Sequence, residues 1–505
     1  MKIRTKLRCW LTRKLPLAAI GALTLLITGC GPEEWIAWAP DGEHAIVRDE
    51  TSRIIDSAGN TVGTITGEHE TIAAWLPDSR HVLVVRNVAA ASWAEYATLL
   101  GDQRTATVAY AGGEIARLIA EYHGDLAEFD ESPGFKIWKD NLDARGEQFE
   151  TVMSWLDASR PGLLDPLMEA YARKEAAGAK KENGGADAAK PALTGATVRE
   201  EIGAPRIHEL HARSAFASAA SDDQLLLRSA DGFGSLAVSP NGRAVSFVRQ
   251  EGADLRLHVM AFEAGAQPVL VETGAEFAAW SPDGQDLAYT KSDMPRRSGK
   301  SGLGLGSIAL RRVCTPDGAV IAEAEAGEDV AGLILPEYPA RVAWLPDGRI
   351  LFAGAKFTLP ATTQSLPNGL TLFALRLQPM PSVEQLLSDA VASRLTERIN
   401  FFNVSPDGKK VAILGKAGAV SVLMLETKTL ATLQDSAPQF AAKSNDDSML
   451  VPTWRNSDEL TYLIPAGDLV GRPARAEVVI ASLRGGKRAI SKSWPDSAGL
   501  LRLEK

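Results

Sequence analysis

A chain of 505 residues exceeds what one hydrophobic core ordinarily organises, so several domains or a repeated architecture are expected. Hydrophobic residues at 45% and charged residues at 23% exclude wholesale disorder. A formal net charge of −9 argues against nucleic acid as a partner, since phosphate binding needs a basic stripe that displaces counterions.

The first thirty residues read as an address label. Lys2, Arg4, Lys6, Arg8, Arg13 and Lys14 precede an apolar run, Leu15 to Ile27, that is too short to span a bilayer comfortably. The run ends in ITGC, Ile27 to Cys30, which resembles the lipobox of bacterial lipoproteins: an aliphatic residue, two small ones and the cysteine that receives a diacylglyceryl group. The resemblance implies a signal peptide over residues 1–29, lipidation of Cys30 and membrane attachment through its acyl chains. Because the leader carries only basic charge, the mature chain is more acidic still, and anionic headgroups would repel it. The acyl chains alone should make the contact. In such lipoproteins Gly31 in place of Asp implies sorting to the outer membrane, facing the periplasm, where the cell has two membranes. Cys9 leaves with the leader and Cys30 is lipidated, so Cys314 has no disulfide partner and reads as a small buried hydrophobe.

From Trp38 the chain repeats one phrase: WAPDGEHAIV at Trp38, WLPDSRHVLV at Trp75, VSPNGRAVSF at Val238, WSPDGQDLAY at Trp280, WLPDGRILFA at Trp344 and VSPDGKKVAI at Val404. A worn seventh copy, WRNSDELTYL, begins at Trp454. Proline ends a strand because it has no N–H for the ladder, and it presets the first corner of a turn. Asp or Asn tolerates the second corner, and Gly takes the positive-φ position that reverses the chain into a hairpin. Where Ser79 replaces that glycine, and in the seventh copy, the turn should be strained or differently built. Strand-like text such as LRLHVMAF and PVLVET, or VSVLMLE and TLATLQ, completes four short strands per copy.

These phrases resemble the TolB-type, WD-like repeat of bacterial envelope proteins. The resemblance implies a mainly β fold: a seven-bladed β-propeller of four-stranded antiparallel blades, with six to eight blades compatible with the spacing. A ring buries the faces and protects the edges that a lone meander would expose. The signature tryptophans then read as packing on each innermost strand.

Trp75 and Val238 lie 163 positions apart, whereas one blade needs about 40 to 45 residues. Ile115, Leu118, Ile119 and Tyr122 share a helical stripe, as do Trp138, Leu142, Phe149, Val152, Met153 and Leu156, and Leu163 to Tyr171 starts another. Lys174 to Gly195 is an Ala/Lys/Gly tether. The expected organisation is a signal peptide (1–29), the first part of the ring (30–86), a helical insertion with a flexible return (87–204) and the rest of the ring (205–505). HVLVVR from His81 is a second strand, and RIHELH from Arg206 and QLLLRS are the third and fourth. The insertion therefore leaves from the face opposite the Pro-Asp-Gly turns. Smaller insertions are expected after Thr290 and in a helical SVEQLLSDAVASRL from Ser382, which makes this the decorated face, suited to a partner.

Motifs that carry chemistry are sparse. His208 and His211, three apart on a strand, point to opposite faces and lack a second ligand pair. NLDARGEQFETV from Asn141 begins like a calcium loop but puts Arg145 and Val152 where ligands belong. GLGLGS, Gly302 to Ser307, lacks the spacing of a nucleotide-binding turn and reads as a flexible loop. Asp222-Asp223 and Asp446-Asp447 read as solvated loop charge rather than paired catalytic carboxylates. No Gly-x-Ser-x-Gly motif of a hydrolase domain occurs. No catalytic, cofactor or metal residues are assigned. The favoured function is a non-enzymatic, lipid-anchored scaffold that binds another envelope protein through loops and insertion. The alternative is a propeller enzyme, or a small-ligand or glycan binder, using a central channel.

Overall fold

The computed structural model describes residues 36–47, 53–64, 70–145, 147–182, 204–216, 223–251, 254–292, 304–313, 320–325, 332–334, 342–354, 371–376, 382–395, 402–415, 419–434, 452–466 and 475–489. These residues form seven sheets, each a meander of four antiparallel strands in chain order. Their first strands are Ile36–Trp38, Glu70–Trp75, Gly234–Val238, Ala275–Trp280, Val342–Trp344, Phe402–Val404 and Thr453–Trp454. In the fourth sheet a short extra strand, Gly332–Ile334, pairs with Gly304–Val313.

Every copy of the repeated phrase is the first hairpin of a sheet, and its turn is held as its residues dictate. Gly42, Gly242, Gly284, Gly348 and Gly408 all have φ between +67° and +80°. Ser79 adopts φ +58°, the strained form its missing glycine predicts. The seventh turn is differently built, with Asn456 Oδ1 accepting from the amides of Asp458 and Glu459. In the Ser-Pro copies the serine hydroxyl is a buried node: Ser281 Oγ donates to Asp283 at 2.6 Å and accepts from the Asp286 amide at 2.8 Å.

Sheets pack face to face through their apolar rows. Ile46 and Ile54 of the first sheet meet Val82 and Val84 of the second. Leu83 and Leu210 on the other face meet Val245 and Phe247 of the third, and the fifth and sixth sheets share Leu351, Leu372, Val411 and Ile413. The tryptophans do more than pack. Trp75 Nε1 donates to Ala37 O (2.9 Å), Trp280 to Ala237 O (3.3 Å), Trp344 to Ala279 O (3.0 Å) and Trp454 to Asn403 O (3.0 Å). Each indole thus reaches the first strand of the preceding sheet, at the residue just before that sheet's own signature Trp or Val. Trp38, in the first sheet, donates to Thr461 Oγ1 of the last at 2.8 Å, while Arg455 Nε donates to Gly42 O at 2.8 Å.

Between the second and third strands of the second sheet, His81–Ala89 and Arg206–Ser214, lie helices α1 (Trp93–Leu100), α2 (Asp102–Glu121), α3 (Pro133–Ala144), α4 (Phe149–Ser159) and α5 (Asp165–Glu182). A backbone bond from Ala90 N to Pro205 O, 2.7 Å, closes the neck. Four expectations are corrected. The stripe from Trp138 to Leu156 is two helices, α3 and α4, broken over 145–148. Residues 174–182 of the expected tether continue α5, whereas 183–203 lie outside the described residues. Ser382–Gln385 is the fourth strand of the fifth sheet, and only Asp389–Leu395, α6, is helical there. Gly304–Ser307 of the glycine-rich stretch is strand, Gly304 to Gly306 pairing with Gly332–Ile334 and Gly306 and Ser307 with Ser292 and Lys291, so pairing along the backbone overrides the scarcity of side chains. Cys30, Cys314, Asp222 and the Asp446-Asp447 pair lie outside the described residues. No described helix is long and apolar enough to cross a membrane.

Candidate functional site

Among the described residues, a dense set of ion pairs lies where the helices meet the second and third sheets. Antiparallel register alone builds the first part: Glu70 pairs with Arg86, Arg86 with Glu209, and Glu209 with Arg228, a row of alternating charge across all four strands of the second sheet. Arg86 Nε lies 2.7 Å from Glu70 and its Nη2 3.1 Å from Asp223, while Arg228 Nε lies 2.9 Å from Glu209. Arg213 adds a second contact to Glu70 at 3.2 Å, and Arg228 reaches Glu95 on α1 at 3.8 Å. Burial opposes the charge on Arg86, but Glu70 and Asp223 outweigh it and hold its pKa above the ordinary value. Asp223 is thereby a correction: it is a half-buried partner of Arg86 and His211, not a solvated loop charge, because it directly precedes the fourth strand, whose pairing with the third brings it to them.

His211 sits beside this row, with Nε2 3.1 Å from Glu209 Oε2 and Nδ1 2.8 Å from Asp223 Oδ1. The two carboxylates meet different nitrogens of the imidazole, and the Arg86 guanidinium lies near both, 4.0 Å from Glu209 and 3.1 Å from Asp223. Among the described residues no group of three or more His, Cys, Asp or Glu is placed to hold a metal. His208 projects from the other face of the strand, as its spacing requires, and burial next to Arg206 lowers its pKa to about 4.

The second part is a joint between α2 and the loop that leads from the second sheet to the third. Arg104 Nη1 lies 2.8 Å from both oxygens of Asp231, and Nη2 lies 3.8 Å from Glu147. Around it the helical core runs without a break into the sheets: Ala90, Ile207 and Ala230 belong to the same buried cluster as Ile115, Trp138, Val152 and Leu156. Tight fits fix the helices to each other. A β-carbon on Gly112 would collide with the Trp155 ring, and Trp138 Nε1 donates to Ala111 O at 3.0 Å. The helical unit is therefore built onto the sheets and not strung from them. Its outer surface exposes Tyr110 (58%) and Ile137 (63%), with the Arg145 guanidinium 5.1 Å from the centre of the Tyr110 ring.

Sequence reasoning passed over α1, although Ser92 and Glu95 spell its start: Ser92 Oγ accepts from Glu95 N, and Glu95 Oε2 accepts from Ala91 N. It also missed the indole donors, whose acceptors, Ala37, Ala237, Ala279 and Asn403, stand just before Trp38, Val238, Trp280 and Val404. Arg104, Glu147 and Asp231 left no local trace.

Four-stranded meanders follow one another, four neighbouring pairs are joined first strand to first strand by indole bonds, and the last sheet touches the first. The fold is a β-propeller. No protein-family model and no curated protein sequence matches the chain. Among solved structures it is similar to TolB from Acinetobacter baumannii, with 16% identity, a TM-score of 0.35 and coverage of 55% of this chain and 57% of that one. A putative TolB from Agrobacterium tumefaciens matches at 14% identity and TM-score 0.33, over 53% of this chain and 83% of that one. The β-propeller domain of the Trilobed protease from Pyrococcus furiosus matches at 11% and 0.34, over 56% and 77%. The propeller assignment rests on the chain's own sheets and bonds, and these likenesses carry nothing about activity.

Proposed function

We propose that this propeller is a lipid-anchored envelope scaffold: seven sheets closed into a seven-bladed ring, tethered through Cys30, that presents a helical insertion to another envelope protein. The observation that carries the reading is the continuous core through Ala90, Ile207 and Ala230, fixed by Arg104 and Asp231, which gives the insertion a set pose. A rigid platform with exposed Tyr110 and Ile137 is pre-organised for a protein partner, so little entropy is lost on binding. Ring closure is supported by the contacts of Trp38 and Arg455 between first and last sheets. Anchoring is supported by the basic leader and ITGC, and with Gly31 after the anchor the reading favours the periplasmic face of an outer membrane. Confinement to that surface raises the effective concentration of partners held there.

The test is crosslinking in cells from a photoreactive residue at 110 or 137. Capture of one envelope protein is expected. With formaldehyde in place of the site-specific probe, the full chain should capture the same protein, and replacement of residues 91–204 by a short turn, which the Ala90–Pro205 neck permits, should abolish that capture. Formaldehyde capture unchanged by that replacement would defeat the role given to the insertion. Loss of membrane fractionation in Cys30→Ala tests the anchor separately.

A further inference from the structure

The joint at Arg104 holds more negative than positive charge in a place that water barely reaches. Arg104 is the cation in direct contact with two carboxylates, and its two short bonds go to Asp231. Glu147, only 6% exposed, stands 3.8 Å away with Oε2 lacking a hydrogen-bond partner. The other groups facing the joint are Tyr96, whose hydroxyl bonds Thr151, and Arg249 and Glu251 of the third sheet, which act on Asp231 through space. Arg249 and Glu251 answer each other at 3.0 Å, and burial beside Arg249 holds His258 neutral down to about pH 4. One carboxylate, Glu147, is therefore left without a hydrogen bond to the shared cation. Burial pushes both Asp231 and Glu147 above the usual carboxylate range, but Arg104 grips Asp231 more closely, so the proton belongs on Glu147.

We propose that Glu147 is a proton-operated latch: its protonated form fastens the helical unit to the propeller, and loss of that proton loosens the joint. Protonated, the group is a neutral side chain in a dry seam. Ionised, it is a buried carboxylate whose one nearby cation, Arg104, is hydrogen-bonded to Asp231 and stands 3.8 Å away, too far to offset the desolvation. A carboxyl whose pKa is higher in the docked than in the free state strengthens docking below its free value and gives that up as pH rises through the docked value. The latch stands on the joint alone and does not depend on the partner reading, because its readout needs no partner.

Amide hydrogen exchange of the full chain in detergent, from pH 5 to 8 and corrected for intrinsic chemistry, reads the joint at α2 and α4. Protection there should fall by up to about ten-fold per pH unit across the Glu147 titration, the limit for one proton. The strand Lys410–Leu414, in the sixth sheet, serves as the unaffected reference. Glu147→Gln should make protection at α2 and α4 independent of pH, and Glu147→Leu carries the same expectation should the amide variant fold poorly. A flat wild-type profile, or a variant that keeps the wild-type slope, overturns the latch.

Discussion

Replacing Gly42, Gly348 and Gly408 by alanine, one at a time, measures whether the first and last sheets bear on each other. All three glycines fill the same place in the Pro-Asp-Gly turn, with φ of +71°, +80° and +67°. At Gly348 a new β-carbon meets nothing within 4 Å, so the substitution costs only the left-handed conformation, about 1–2 kcal/mol. At Gly42 the β-carbon would lie 2.6 Å from the carbonyl oxygen of Arg455, a backbone atom of the last sheet. The two turns must then separate, although Arg455 Nε holds Gly42 O, and overpacking of this kind adds about 1–3 kcal/mol. Gly408 is the internal reference, because its β-carbon would strike the Pro346 ring across the seam between the fifth and sixth sheets. Urea midpoints should therefore rank Gly348→Ala as mild and Gly42→Ala and Gly408→Ala as severe. If Gly42→Ala matched Gly348→Ala while Gly408→Ala remained severe, the first and last sheets would not be in contact, and the closed ring would be refuted.

Trp344→Phe removes the indole donor to Ala279 O and should cost about 0.5–1.5 kcal/mol, because a half-buried carbonyl loses its partner; thermal unfolding checks it, and a neutral result would deny the bond a role. Arg104→Leu leaves Asp231 and Glu147 without their cation and should cost about 3–5 kcal/mol, with much of the loss recovered when Asp231→Asn is added; calorimetry of the single and double variants decides. Lys428→Gly relieves a left-handed backbone at φ +54° and gives up only an exposed ion pair with Glu384, so a small rise in melting temperature is expected. His258, lowered to about 4 by burial beside Arg249, should titrate near that value by NMR. Its contribution to stability is full above pH 6.5 and is lost as pH falls toward 4; an observed midpoint above 6 would contradict the packing.

Features written within a few residues of each other were legible. The turns could be read because Pro, Asp and Gly fix their own dihedrals locally, and even the strain at Ser79 follows from one missing glycine. Stripes at Ile115 and Leu167 gave helices, since a period of 3.6 needs no knowledge of the neighbour. Where the local signal was weak the reading failed. Ser382–Gln385 has the composition of a helix start, yet an open edge beside Thr371–Arg376 claimed it as a strand. Asp223 has the texture of a loop, yet strand pairing 137 positions away from Arg86 brings the two within 3.1 Å.

By itself the sequence determined that this chain repeats a β-hairpin seven times, with a helical segment inside the second repeat, because each of those choices is settled by dihedral preference and hydrophobic period over short stretches. Only the tertiary structure decided which indole meets which carbonyl, that the last sheet meets the first, and that Arg104 faces both Asp231 and Glu147. Those partners stand tens to hundreds of positions apart, so their meeting depends on how whole sheets stack, a property no short stretch of residues contains.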